Sequence, residues 1–420
     1  MRRRSNDSGP ATGRARAIER PVAMVVHAYY DEDPRVRREA EALVAAGRPV
    51  DVFGLRRAGD PVDSVLDGVT VHRLDVQRHQ GAGLGTYLRE YVSFLVRSGW
   101  ALSRAHGRRR YALVQVHSLP DFLAFAALPL RIAGVPLLLD LHEAMPEFFR
   151  SRFPRASNPL VQRLLVLQER LSIAIATKVV TVNDAMAERL VELGVAPGKV
   201  HVVANSVSLA RFDPSRQPRR DFAADGVVRL IYAGALTPTY ELDVAIDAMA
   251  RVCHERTDLD LRLDIYGRGD AEPALRDQAT RLGVAERLVF HGRIPIEDVP
   301  AAIAAADIGL APTRHDQFTD VSLSTKLFEY AAMGKPVVAT RLPLVSQTFP
   351  AGTIVTYEAG DAASLAAAIE GIVDRPEERS AALERTLDIV RDASWERRSA
   401  AYVALVDDLV DGRPTLARPG

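Results

Sequence analysis

Leu323-Ser324-Thr325-Lys326-Leu327-Phe328-Glu329-Tyr330-Ala331-Ala332-Met333-Gly334-Lys335-Pro336-Val337-Val338 holds the pattern on which the reading of this chain turns. An apolar run at 308–311 and a loop lead into a helix opened by small hydroxyl residues, and a second apolar run, 336–340, follows. Strand, helix and strand in succession build a parallel sheet. Upstream, apolar runs at 228–234, 259–267 and 288–291 are likewise spaced by helical patterns. Before them, 205–226 is rich in Pro, Arg, Asp and Ser without periodicity and reads as a linker. The alternation also occupies the first half, with runs at 22–27, 50–54, 69–74, 112–117, 135–140, 178–182 and 199–203. There Asp33 can cap a helix that Pro34 begins and Gly47 ends. Two such runs predict two doubly wound, Rossmann-like α/β domains whose ligands sit where the strands end. The expected divisions are a leader 1–20, a first domain 21–205, a linker 206–226, a second domain 227–392 and a closing helix 393–412.

The 420 residues are too many for one ordinary core, and 47% hydrophobic with 26% charged residues is a globular balance. Lys+Arg and Asp+Glu both number 54, which gives no support for a nucleic-acid binder. The single Cys253 excludes an intrachain disulfide and suits a reducing, cytoplasmic compartment. The first twenty residues are basic and polar with no apolar core, unlike a secretory signal, and read as disordered. No apolar run is long enough to span a bilayer: the best, 122–139, is broken by Pro129, Arg131, Gly134 and Pro136.

Several signatures fail. Gly267-Arg268-Gly269 follows a strand, but Glu272 stands where the dinucleotide fingerprint needs its third glycine. Gly334-Lys335-Pro336 lacks the rest of a P-loop, and His142-Glu143 lacks the second histidine of a zinc protease helix. No metal is expected.

What holds is the helix start. Lys326 in the first turn suits a diphosphate together with the free N–H groups there, and Glu329 can accept two hydrogen bonds from a ribose diol. The alternative is an ordinary capped helix with a Lys326–Glu329 ion pair. His117 ends a strand and can face either a cleft or the core.

This stretch resembles the donor-binding segment of the family 4 retaining glycosyltransferases, which have the GT-B fold. Other motifs extend the resemblance from about Pro21 to about Val410. They are Asp33-Pro34-Arg35-Val36, Gln115-Val116-His117 with Pro120-Asp121, Asp140-Leu141-His142-Glu143, Asn205-Ser206-Val207, Gly234, and Tyr266-Gly267-Arg268-Gly269. The resemblance implies catalytic roles for His117, Lys326 and Glu329. It implies substrate contacts from Gly234, Gly267, Asp320, Ser322, Leu323, Ser324, Thr325 and His142, and a helix containing Trp395 that crosses back to the first domain. Two departures stand out. Val321 occupies the place of an earlier carboxylate, with Asp320 beside it, and the loop Ala235-Leu236-Thr237-Pro238-Thr239-Tyr240 has no base where the family often has Arg and Lys.

The implied reaction moves a sugar from a UDP- or GDP-linked donor to a hydroxyl acceptor, with retention and without a metal or other cofactor. The role expected is cell-surface polysaccharide or glycolipid synthesis. A silent sugar-nucleotide-binding partner and a GT-B epimerase or phosphorylase are the rivals. The segment 84–100 mixes aromatics and arginines, with Arg104, Arg108, Arg109 and Arg110 beyond. It predicts an anionic membrane surface as partner, a lipid-linked acceptor, and peripheral placement at the inner face of the plasma membrane. A core-packing helix with a solvated basic end is the alternative.

Overall fold

The computed structural model describes residues 20–78, 83–153 and 156–412, so the leader, Arg20 aside, lies outside the described residues. Runs such as Val22–Val26 and Leu137–Leu141 are buried at every position, and helices cover both faces of the sheets they enter. The first sheet contains β1 (Val22–Val26), β2 (Val50–Leu55), β3 (Asp63–Leu66), β4 (Val69–Leu74), β5 (Leu113–His117), β6 (Leu137–Leu141), β7 (Lys178–Thr181) and β8 (Val200–Val202). Its order is 3-4-2-1-5-6-7-8. The second contains β9 (Val227–Ala233), β10 (Asp260–Tyr266), β11 (Leu288–Gly292), β12 (Ile308–Ala311), β13 (Val337–Thr340) and β14 (Val355–Tyr357), in the order 11-10-9-12-13-14. Every described pairing is parallel except that of β3 with β4. These are the two doubly wound domains of a GT-B fold.

Local chemistry explains the element ends. Asp33 accepts from the N–H groups of Arg35 and Val36 and caps the helix Pro34–Ala45; Asn183 does the same for Met186. Asp67 and Gly68, both at positive φ, turn β3 back onto β4, the hairpin chemistry of an Asp-Gly pair. That edge strand is absent from the sequence reading. So is the helix Met145–Arg152. The connection after β5 begins as a 3-10 helix, Asp121–Ala127, and becomes α-helical only at Leu128–Ile132.

One side of the first sheet packs on Pro34–Ala45 and the closing helix Trp395–Asp411, through Val36, Leu43, Tyr402 and Val406. The other packs on Leu84–Arg109, the 3-10 helix and Pro159–Ile175, through Phe94, Leu123 and Ile173. In the second domain, Gly309 of β12 lets the helix Lys326–Ala332 settle on the sheet, since a Cβ there would lie 2.3 Å from the Tyr330 ring. Tyr330 also accepts a 2.9 Å hydrogen bond from the N–H of Ala233, tying this helix to the end of β9. Among the described residues no helix is long and apolar enough to cross a membrane.

The closing helix is fixed to the first domain by a buried polar chain. Tyr402 donates to Gln115 Oε1 at 2.6 Å, and Gln115 donates to Glu39 Oε2 at 2.7 Å. Tyr402→Phe strands the Gln115 carbonyl in the core. Urea unfolding should show a loss of about 1–3 kcal/mol, the cost of a buried acceptor left unpaired.

Candidate active site

The carboxyl ends of β5 and β6 gather the first half of the site. Asp140, fully buried, takes both arms of the Arg35 guanidinium, at 2.9 Å from Nε and 2.7 Å from Nη2. Its Oδ2 also stands 3.0 Å from His117 Nδ1 and 3.2 Å from His142 Nε2. Burial would raise this carboxyl, but Arg35, then His142 and His117, hold it well below the usual carboxylate range. Glu39, equally buried, is pushed up to about 7 by burial against the pull of Arg35.

Of the two placements open to His117, the structure shows a buried side chain: Nε2 has no hydrogen-bond partner among the described residues, and His142 lies against it with ring centroids 5.4 Å apart. The imidazole that retains exposure is that of His142. His117, Asp140 and His142 bring ligand-type atoms within 4.8 Å of one another. A cation there would have to displace Arg35 from Asp140, so the donor set fits a hydrogen-bonded network better than a metal centre.

The second half is built on glycines. Gly267, at φ +139°, lies so close to Gly234 that an added Cβ would be 1.7 Å from the Gly234 carbonyl oxygen. A Cβ on Gly234 would in turn strike Lys326, 2.4 Å from its Cε. Lys326 therefore lies across the end of β9 in a gap only glycine leaves open. Its ammonium stands over Tyr240 and Tyr232, 4.3 and 5.3 Å from the ring centroids. Among the described residues no carboxylate pairs with it, so the simple Lys326–Glu329 ion pair does not form. Glu329 borders a cavity of about 260 Å³ shared with Arg38, Ser206, Arg211 and Trp395. Its carboxyl is raised by burial, opposed by Lys326.

The halves meet through the loop before this helix. Ser151 donates to Asp316 at 2.6 Å, Asn183 donates to the Val321 carbonyl at 2.9 Å, and Phe148 meets Phe318 edge-on at 5.4 Å. A cavity of about 50 Å³ opens there, and Ser322, Ser324, Tyr240 and, from the first domain, Glu143 line it. Leu323 packs into the apolar cluster under the helix, and Thr325 precedes its first residue without a side-chain cap. Asp320 is turned to His315, 2.8 Å away, and does not border that cavity. Sequence reasoning gave neither Arg35 nor Glu143 a site role of its own. Arg35 was legible as an arginine in the first turn of a capped helix, but its partner comes from a strand 105 residues away. Glu143 makes no described hydrogen bond, and burial pushes its carboxyl up to about 6.

Two family descriptions fit this chain: a glycosyl transferase 4-like domain over residues 33–206, and glycosyl transferases group 1 over 228–375. The chain belongs to the group 1 glycosyltransferases. Among curated group 1 relatives, a D-inositol 3-phosphate glycosyltransferase of Pseudarthrobacter chlorophenolicus is 26% identical over 390 residues, 89% of this chain and 90% of that one. Among solved structures, sucrose-phosphate synthase from Thermosynechococcus elongatus superposes with a TM-score of 0.76 at 18% identity, covering 94% of this chain and all of the other. Anabaena HepE, solved with UDP and glucose, has a TM-score of 0.67 at 14% identity, over 93% of this group 1 chain and 99% of its own.

Near the site lies another buried acid whose protonation bears on stability. Burial, with Glu169 adding to it, pushes Asp121 up to about 8, and its Oδ1 has no hydrogen-bond partner among the described residues. The folded chain thus keeps a proton that the unfolded chain releases near pH 4, so Asp121 makes stability fall as pH rises from about 4 to 8. Asp121→Asn should flatten that fall. Urea midpoints at pH 5 and pH 8 measure it, and a variant with the parent's slope would contradict the assignment.

Proposed function

We propose that this glycosyltransferase draws its sugar from a nucleoside diphosphate donor and binds the diphosphate at Lys326. The observation that carries this is a cation nine-tenths buried at the cleft, over the Tyr240 ring, that makes no salt bridge among the described residues. A buried charge without a partner is costly, and a diphosphate is the counter-ion its position suits. That Anabaena HepE was solved with UDP favours a uridine nucleotide over a guanosine one as the first to test.

In this reading the bond from the sugar C1 to the diphosphate oxygen breaks while a bond from C1 to the acceptor hydroxyl oxygen forms. The acceptor proton leaves with the diphosphate, and the configuration at C1 is retained. Lys326 stabilises the charge that develops on the leaving group, a task that asks for no metal ion. His142 reaches the donor sugar, while His117 and Asp140 behind it fix its ring. Glu143, across the cleft from Ser322, offers the sugar hydroxyls a carboxyl in place of the one that Val321 does not provide. Glu329 holds the ribose diol. The acceptor is the hydroxyl of a glycan or glycolipid in cell-surface polysaccharide synthesis.

Calorimetric titration separates these roles. Lys326→Ala should weaken UDP binding at least tenfold and leave uridine nearly unaffected, because its partner is the phosphate. Glu329→Ala should weaken both, by roughly tenfold if one charge-assisted hydrogen bond of about 1.5 kcal/mol is lost. Unchanged affinities in folded variants would remove the donor from this helix.

Gly234→Ala tests the seat of the ammonium. The new methyl must push Lys326 aside, so UDP affinity should fall towards that of Lys326→Ala while thermal unfolding shows the domain still folded. A Gly234→Ala chain that binds UDP as the parent does would show that the position of Lys326 is not what binds the diphosphate.

A further inference from the structure

Two helices of the first domain turn apolar rows outward, and nothing among the described residues covers them. On Leu84–Arg109 the row is Leu88, Val92, Val96 and Trp100, four residues apart and 45–67% exposed. On Pro159–Ile175 it is Leu160, Leu164, Leu167 and Leu171, 49–66% exposed. Both helices pack on the 3-10 helix Asp121–Ala127 from the same side of the first sheet, where Phe94 and Ile173 share a core with Leu123. Gly99 brings the longer helix close to that segment: a Cβ there would lie 3.3 Å from the Ala126 carbonyl oxygen. The two rows therefore face outward together on one flank of the domain.

Charge sorts with them. Each helix has a single acid, and both acids are buried beneath it: Glu90 lies 3.0 Å from His27, and Glu169 lies 2.8 Å from Arg189. The outer side carries Arg89, Arg97, Arg104, Arg163 and Arg170, all exposed. In a chain whose formal net charge is zero, this is a flank of one sign around two apolar stripes. Arg104 stands 5.6 Å from the Trp100 ring, a pairing of amphipathic groups that suits the level of lipid headgroups. Glu188 and Glu192, exposed on the next helix Asp184–Glu192, mark where the flank changes sign.

We propose that this flank docks on an anionic phospholipid bilayer, with both helices lying in the plane of the interface. Apolar rows enter the acyl boundary while the arginines meet phosphate groups. The proposal goes beyond the donor reading and stands without it, because its test needs no sugar nucleotide.

Flotation of the full chain with vesicles provides that test. The chain should float with vesicles of phosphatidylcholine containing three-tenths phosphatidylglycerol, and stay behind with phosphatidylcholine alone. Each arginine removed should lower the partition coefficient about fivefold, so Arg97→Ser with Arg163→Ser should lower it about twenty-five-fold. Trp100→Ser with Leu164→Ser should abolish flotation, and thermal unfolding should stay near that of the parent because both residues are exposed. Equal binding to neutral vesicles, no binding to anionic ones, or arginine variants that float like the parent would each overturn the proposal. So would a dimer in sedimentation that Trp100→Ser dissociates, since the flank would then be an interface between copies.

Discussion

The contact between Arg35 and Asp140 takes a full positive and a full negative charge out of water at the end of the sixth strand, and most of the first domain's polar interior is arranged around it. Arg35 is reached from a helix that Asp33 caps, and it also donates to the Val203 carbonyl at the start of the crossing between domains. Asp140 locates two imidazoles. Glu39, one turn along from Arg35, takes up Gln115 and through it Tyr402 of the closing helix. A well-packed apolar pair would hold the fold as well, while removal of one partner costs about 3–5 kcal/mol. The value of the ion pair lies in position, because it sets a strand, a helix, the crossing and the last helix in register with His142.

The second domain reaches its geometry by omission. Where the first domain fixes side chains with charge, here two strand ends touch backbone to backbone, and Lys326 runs through the space that missing Cβ atoms leave. Tyr330 couples that helix to the neighbouring strand, so the lysine's position follows from packing and not from an ion pair. One half of the cleft is thus preset by buried electrostatics and the other by close approach.

The alternation of apolar runs with helical periods made both domains legible, since the central strands are buried on both faces and the helices mostly on one. The cap at Asp33 was equally plain, being decided by residues two or three apart. The hairpin turn at Asp67-Gly68 was available in the sequence and went unread. The burial of His117 was not available. A strand end says only that a side chain lies near a site, and whether it is covered depends on what the next strand brings beside it. The partners of Arg35 and Glu329 lie beyond local reasoning for the same reason. Asp320 shows the limit from the other side: a carboxylate one residue from the expected place turned to His315, five residues away, because a tight turn put that imidazole in reach.

The chain passes between the domains twice, once after Val203 and again before Trp395, and the two passages are joined where the N–H of Trp395 donates to the Val207 carbonyl at 2.8 Å. Glu396 adds bonds to Ser208 and to the N–H groups of Leu209 and Ala210. Two neighbouring passages behave like two pins on one door. Such pins would leave swinging about their common line as the easier movement and resist twisting, which keeps Glu143 and Ser322 aligned on one cavity.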